Sequence, residues 1–410
     1  MFRRLCVLSF LFLLCLFLLA GCGREPETTE FNAAQSWAKT LDQARGSTVR
    51  FYMWGGSASI NRWVDTYVAG ELKKRFDITL VRVPMNAEAF VNKLLTEKGA
   101  GKQTGTIDLL WINGENFKNT KEAGVLFGPF APQLPNFKTF VNPKSAETDF
   151  GYPVEGYESP YGRAQFVFEY DSARVKQPPQ SFAQLAQWIK EHPGKFTYPQ
   201  PPDFTGSAFI RQALYATTGG HEQYMHGFDR ELYERNAPKL WAYLNEIKPF
   251  LWEQGRTYPK ESATLDTLFA RGEVDFSMAY HPTHAQSMIL QGSYPESVRT
   301  LVMKDGSIYN THFTAIPASA PNKAGAMVAA DFLLSPEAQL SKYDPKNWGD
   351  SPAISMGKLP TEMQARFREV DLGPATLSPE VLASVAVPEI PAAYLELLER
   401  DWDKYVLNAQ

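Results

Sequence analysis

Val49-Arg-Phe-Tyr-Met-Trp54, Ile78-Thr-Leu-Val-Arg-Val83 and Ile107-Asp-Leu-Leu-Trp-Ile112 are three short apolar runs whose order decides the fold. Each is rich in β-branched or aromatic residues and too short for a typical helix, so each reads as a strand. Between the first two, Ile60, Trp63, Val64, Tyr67, Val68 and Leu72 recur at helical spacing, and Phe90, Val91, Leu94 and Leu95 do so between the second and third. This alternation predicts a parallel sheet with helices on both faces.

Working outward, prolines and glycines break the rhythm over residues 129–163, which read as irregular. A strand is expected over Ala164–Tyr170, and helices near 181–191, 206–217, 236–253 and 262–271. Val274, Phe276, Met278 and Tyr280 alternate with smaller or polar residues, which predicts a strand with one apolar face. A further strand over Thr311–Ile316 should follow a loop at 304–307. Helices are expected at 324–334, 336–342 and 392–405, with the proline-rich 344–391 wrapping the surface. The order fits two α/β lobes, and a cleft between such lobes is a favoured place for a small molecule.

The N-terminus carries an address. Met1-Phe2-Arg3-Arg4 is a positive leader, Leu5–Leu19 is almost unbroken apolar sequence, and Leu19-Ala20-Gly21-Cys22 closes it with small residues. That is the pattern of a secretory signal, and its apolar run is short for a membrane span. The Leu-Ala-Gly-Cys ending resembles the bacterial lipobox, which implies that Cys22 is lipidated, becomes the new N-terminus and anchors the chain to a membrane at the cell envelope. Residues 23–45 then read as a tether and a leading helix.

Removing the 21 residues before Cys22 leaves 389, with Cys22 as the sole cysteine, so no disulfide is expected within the chain. Loss of Arg3 and Arg4 leaves 39 basic against 45 acidic side chains, net −6. That balance gives no support for nucleic acid as a partner, which calls for a concentrated basic surface. Aromatics at 13% point to a large core and an aromatic-lined cleft.

Ligands of parallel sheets bind beyond the carboxyl ends of the strands. Four junctions there are rich in Gly, Asn, Asp and aromatics. Trp54, Gly55 and Gly56 follow the first strand, where two glycines let the backbone approach a ligand; a plain tight turn is the alternative. Asn113, Glu115 and Asn116 surround one glycine after the third strand, as ligand contacts or as a helix cap. Asp203, Thr205 and Gly206 precede an apolar helix, where Asp203 would bind or cap. Tyr280 and His281 open the fourth junction. His281 and His284 suggest a metal, but no cysteine or second His pair completes a ligand set, so no metal is expected. No cofactor is expected either.

Enzyme signatures fail. No Gly-x-Ser-x-Gly elbow is present, Gly99-Ala-Gly-Lys102-Gln103 lacks both the leading glycine and the Ser or Thr of a phosphate loop, and the pair Glu155 and Glu158 has no legible geometry. A binding protein is expected rather than an enzyme; an exported hydrolase in the same cleft or a structural lipoprotein are the alternatives.

Six motifs resemble one family. Trp54-Gly-Gly-Ser-Ala-Ser-Ile-Asn-Arg62, Leu109-Leu-Trp-Ile-Asn-Gly-Glu-Asn-Phe117, Tyr198-Pro-Gln-Pro-Pro-Asp-Phe-Thr-Gly-Ser-Ala-Phe209, Pro282-Thr-His-Ala-Gln286, Phe332-Leu-Leu-Ser-Pro-Glu-Ala-Gln-Leu340 and Trp348-Gly-Asp350 are similar to the YnjB-type ABC-transporter substrate-binding proteins, in family order from about residue 46 onward. The resemblance implies a two-lobed type II periplasmic-binding fold with its ligand cleft between lobes joined by two hinge crossings, near Tyr161-Gly162 and Thr311-His312. One lobe would be 46–157 plus 312–410, the other 158–311. It also implies a monomer that closes on a small-molecule ligand and delivers it to an ABC permease and its ATPase. Thiamine or a related cationic aromatic compound is the expected ligand, with Trp54, Tyr161 and Tyr280 stacking on it and Glu115 or Asp203 balancing its charge. A lipobox departs from many members of the family.

Overall fold

The structure is a computed structural model and describes residues 31–408; the leader and Cys22 lie outside the described residues. Helix α1 (Trp37–Ala44) is capped by Ser36, and the strand β1 (Thr48–Met53) follows. Helix α2 runs through Ala58–Arg62, Trp63–Val68 and Ala69–Phe76, with the middle stretch wound as a π-helix. Ser57 caps it, its stripe of Ile60, Trp63, Val64, Val68 and Leu72 is buried, and Asp77 ends it in the left-handed region. Next come β2 (Thr79–Pro84), α3 (Ala87–Gly99), β3 (Leu109–Ile112), α4 (Gly114–Glu122) and β4 (Leu126–Phe127). β1 pairs in parallel with both β2 and β3, as the opening alternation predicts.

The stretch read as irregular hides a strand. β5 (Glu158–Gln165) begins six residues before the expected Ala164, and β6 (Val167–Asp171) continues after a break at Phe166. Residues 158–162 of β5 are all buried, so there was no alternation to read. Helices α5 (Phe182–Glu191), α6 (Phe204–Thr218), α7 (Arg230–Ile247) and α8 (Ser262–Ala270) follow, then β7 (Phe276–Ala279), α9 (His284–Leu290) and β8 (Val298–Leu301). α7 starts well before the expected 236, capped by Asp229, and carries Pro238 inside it. The second sheet is antiparallel, in the order β8–β6–β7, and every residue of β7 is buried, so its expected polar face does not exist.

β9 (Ser307–Pro317) returns to the first sheet, followed by α10 (Lys323–Leu333), α11 (Pro336–Tyr343), β10 (Ala386–Pro388) and α12 (Ala392–Trp402). The first sheet has the order β10–β9–β3–β1–β2, with β4 and β5 also on β9. The expected crossing points are partners across β5 and β9: Thr311 faces Arg163 and His312 faces Gly162, with a register shift between His312 and Phe313.

The C-terminus departs from its expected place. β10 stays in the first sheet, paired in parallel with the start of β9, but the helix after it does not. Ile390, Tyr394, Leu397, Leu398 and Trp402 join the apolar cluster of α6 and α7. The Trp402 indole donates to the Tyr198 hydroxyl (3.1 Å), and the Tyr394 hydroxyl accepts from Asp229 N–H (2.8 Å). α12 has one apolar face, and only tertiary contact decides which partner covers it. Among the described residues no helix is long and apolar enough to cross a membrane.

Candidate functional site

After β1, Asn61 donates to the Gly55 carbonyl (2.8 Å), and the Trp54 indole lies against Gly56, where a Cβ would collide with it. The Trp54 side chain is 36% exposed, at the rim rather than in the core. After β3, Gly114 donates its N–H to the buried Asp149 carboxylate. Asn113 stands at the N-terminus of α4 without a side-chain cap bond, and Asn116 donates to Glu115 Oε1 (2.7 Å). Glu115 Oε2 is sealed from solvent and has no partner.

Opposite Glu115 stands a residue the sequence reading overlooked. Arg211, on α6, is fully buried and donates to both oxygens of Glu389 (2.8 and 2.9 Å) and to Ser207 Oγ (3.0 Å). Ser207 in turn donates to Glu399 Oε1 (2.6 Å), and the Tyr280 hydroxyl donates to Glu389. The rings of Phe150 and Phe204 each lie 5.5 Å from the guanidinium carbon, and Phe204 packs on Tyr280 at 5.0 Å between ring centroids. Burial works against the Arg211 charge, but Glu389 and its companions outweigh it and hold the guanidinium more firmly protonated than usual. Burial, and then the charge of Glu399, push the Glu115 carboxyl up to about 8. The cluster is therefore rich in acid: one guanidinium serves Glu389, Glu399 and Glu115 together.

A second group lies on the crossing strands. Tyr161, Trp111, Trp348 and His312 form an aromatic cluster with ring centroids 5.3–5.9 Å apart. Beneath it, Asp350 accepts from His312 Nε2 (2.8 Å) and Lys342 Nζ (2.6 Å). Lys342 also donates to the Tyr161 carbonyl. Despite burial, His312 and Lys342 hold the Asp350 carboxyl below its ordinary range. Gly162 sits against this network, where a Cβ would meet Asp350, His312 and Lys342.

Other expected contacts prove structural. Asp203 Oδ1 accepts from Thr205 N–H (3.0 Å) and Gly206 N–H (2.9 Å), and Oδ2 accepts from the N–H (2.9 Å) and hydroxyl (3.2 Å) of Ser262. Both oxygens are engaged in capping α6 and tying it to α8, so Asp203 has no strong acceptor left for a ligand. Gly206 is pressed against the Pro199 carbonyl, where no side chain fits, and Thr205 is buried in the first turn of α6.

His281 and His284 divide. Burial, and then the charge of His284, drive His281 down to about 3, so it is neutral. His284 places Nδ1 2.8 Å from Glu169 and Nε2 3.5 Å from Asp266. Burial opposes its charge, but the two carboxylates raise it to about 9. These three residues are close enough to share an ion. An imidazolium between two carboxylates already supplies the trio with a positive charge.

Arg211 and Glu389 were legible as lone charges in apolar runs, Phe209-Ile210-Arg211 and Ala386-Val-Pro-Glu389-Ile. Their meeting was not, because 178 residues separate them.

The fold defines a class, the two-lobed type II periplasmic binding proteins. The family model for bacterial extracellular solute-binding proteins matches residues 67–356, and the chain belongs to that family. It is similar to protein YnjB of Escherichia coli (strain K12), 39% identical over 90% of this chain and 93% of that one. In fold it resembles the periplasmic binding protein AfuA from Actinobacillus pleuropneumoniae, solved with fructose-6-phosphate bound (TM-score 0.62, 16% identity, 88% of this chain and 99% of that one). It also resembles a periplasmic thiamin binding protein (TM-score 0.57, 16% identity, 88% and 96%). The chain has the two-lobed type II periplasmic-binding fold and is a solute-binding component of an ABC transporter, working outside the cytoplasm with a permease. Its family and fold neighbours bind substrates rather than convert them.

Proposed function

We propose that this receptor, anchored through lipidated Cys22, closes as a monomer on a small cationic solute, thiamine or a relative, between lobes formed by 46–157 with 312 to about 385 and by 158–311 with the C-terminal helix. The observation that carries the charge is the acid excess around Arg211. Glu389 takes two guanidinium nitrogens and Ser207 the third, so Glu115 is left without a cation of its own. A buried acceptor without a donor is costly, and a ligand that brings the donor recovers that cost. Trp54 at the rim, with Tyr161 and Tyr280 deeper in, supplies aromatic surface for a flat ligand; Gly55, Gly56, Asn113, Asn116 and His281 complete the wall.

The experiment is thermal unfolding of the chain from residue 23 against thiamine, thiamine phosphates, putrescine, ferric citrate and fructose-6-phosphate. A ligand that binds only the folded chain raises the midpoint by mass action. A saturable shift with thiamine or putrescine supports the reading; a shift with fructose-6-phosphate alone overturns it.

A further inference from the structure

This inference rests on the lobe boundaries proposed above and adds a moving part to them. We infer that residues 386–402 are a clasp, carried by the 158–311 lobe and seated on the 46–157 lobe by a small contact that breaks when the lobes part.

The attachment to the 158–311 lobe is broad and dry. β10 pairs with Ser307–Tyr309 at the start of β9. Glu389 holds both Arg211 nitrogens (2.8 and 2.9 Å), and the Tyr215 hydroxyl donates to the Pro388 carbonyl (3.2 Å). Farther along, Glu399 accepts from Ser207 (2.6 Å) and Asp401 from the Tyr233 hydroxyl (2.7 Å). Tyr394, Leu398 and Trp402 are sealed in the apolar cluster of α6 and α7. Detaching this side would strip a buried guanidinium of its partner and expose three large apolar side chains, so the segment moves with this lobe.

The seat on the other lobe is narrow. The Ala392 N–H donates to the Phe150 carbonyl (3.0 Å), Lys118 on α4 donates to Glu396 Oε1 (3.2 Å), and Ala392 and Leu395 pack with Phe150. The Lys118 and Glu396 side chains are 21% and 42% exposed, so water screens their attraction. One backbone bond, one wet ion pair and one small apolar patch can open and reform without unfolding the chain. Phe150 also meets the opposite lobe directly, at Phe204 (6.2 Å between ring centroids) and at the Arg211 guanidinium (5.5 Å). α6 carries Phe204 and Arg211, and α12 is fixed to α6. When the lobes part and Phe204 leaves Phe150, Ala392 and Glu396 leave with it. Solute entry and release then depend on this seat as well as on the solute's own contacts.

The test is the distance between the lobes in the unliganded chain from residue 23, which has no cysteine of its own. Spin labels on Asn92→Cys and Arg235→Cys, exposed positions in the two lobes, report that distance by pulsed electron paramagnetic resonance. Glu396→Lys sets two cations against each other and should raise the ratio of longer to shorter distances about fivefold. Exchanging the charges, with Lys118→Glu and Glu396→Lys together, should restore the parent ratio. Ala392→Pro should shift the ratio as Glu396→Lys does. It removes the N–H, while the first position of a helix tolerates proline and Pro391 before it is already extended (ψ 137°). Where the parent shows the shorter distance alone, either variant should introduce the longer one. Labels on Arg235→Cys and Arg400→Cys should keep a single distance throughout, because the clasp stays with its lobe.

A longer-to-shorter ratio that neither variant moves, or that the charge exchange fails to restore, would overturn the clasp and leave a receptor that opens without it. An Arg235–Arg400 distance that splits in the variants would overturn the assignment of the segment to the 158–311 lobe. One Asn92–Arg235 distance in every variant, unaltered by thiamine or putrescine, would remove the closing receptor as well.

Discussion

Two buried charged clusters of this chain are built to opposite rules. Around Asp350, one carboxylate meets two nitrogen groups, His312 on a crossing strand and Lys342 on α11, and each of its oxygens has a partner. Around Arg211, one guanidinium meets several acids, and acceptors are left over. The Asp350 carboxylate is closed, with a donor on each oxygen. The Arg211 cluster is open in the chemical sense, because Glu115 Oε2 is buried without a donor.

The largest effect that could break this comparison is Asp350→Ala. It leaves Lys342 buried without its counter-charge and should cost about 3–5 kcal/mol of stability, read by urea unfolding. If the loss is under about 1 kcal/mol, the Asp350 cluster is not the closed structural pair described here. His284→Ala tests the neighbouring closed trio. The imidazole is raised to about 9 in the folded chain, against 6.5 for the free side chain. Its contribution is therefore full below about pH 6.5 and lost as pH rises through 9, and it amounts to about 3 kcal/mol from the usual conversion of pKa to free energy. The variant should fall short of the parent at pH 6 and approach it at pH 9.5; a deficit independent of pH would mean lost packing only.

Gly162→Ala places a methyl against Asp350, His312 and Lys342 and should destabilise by about 1–3 kcal/mol. Trp54→Ala should weaken solute binding by at least about tenfold, or 1.4 kcal/mol, with little change in the unfolding midpoint of the empty chain. Unchanged affinity would remove Trp54 from the site. The smallest stability effect belongs to the open cluster: Glu115→Gln should leave the empty chain at about pH 4, where the parent carboxyl is largely protonated folded and unfolded alike, within about 1 kcal/mol of the parent. Its sign turns with pH. A carboxyl raised to about 8 loses stability as pH climbs from its unfolded value through 8, so the variant should be the more stable one at pH 9. A large loss of stability at pH 7 would make Glu115 structural and erase the contrast between the clusters.

Local pattern was a good guide where one face of an element meets water. The stripe of α2 and the strand β2 face water on one side and stand close to where periodicity put them, while β1 and β3, mostly buried, were legible as short apolar runs. It failed at β5, buried through Tyr161-Gly162, and at β7, buried on both faces. In the site, Glu115, Asn116, Tyr161 and Tyr280 were legible as polar or aromatic residues at strand ends. Asp203 was legible too, but it is a cap. A carboxylate ahead of an apolar helix looks the same in sequence whether its oxygens face a ligand or the backbone N–H groups of the first turn.

By itself, then, the sequence determined the strand–helix alternation, the class of fold its motifs resemble and the loops that end at the cleft, because each depends on residues close together in the chain. Tertiary structure alone decided that α12 packs beside α6 and α7, that Glu389 clamps Arg211 and that Asp350 meets His312 and Lys342. Those pairings join positions 38 to 192 residues apart, apart from Lys342 and its near neighbour Asp350, and charge or burial acquires its value only when the intervening chain brings the partners into one dry volume.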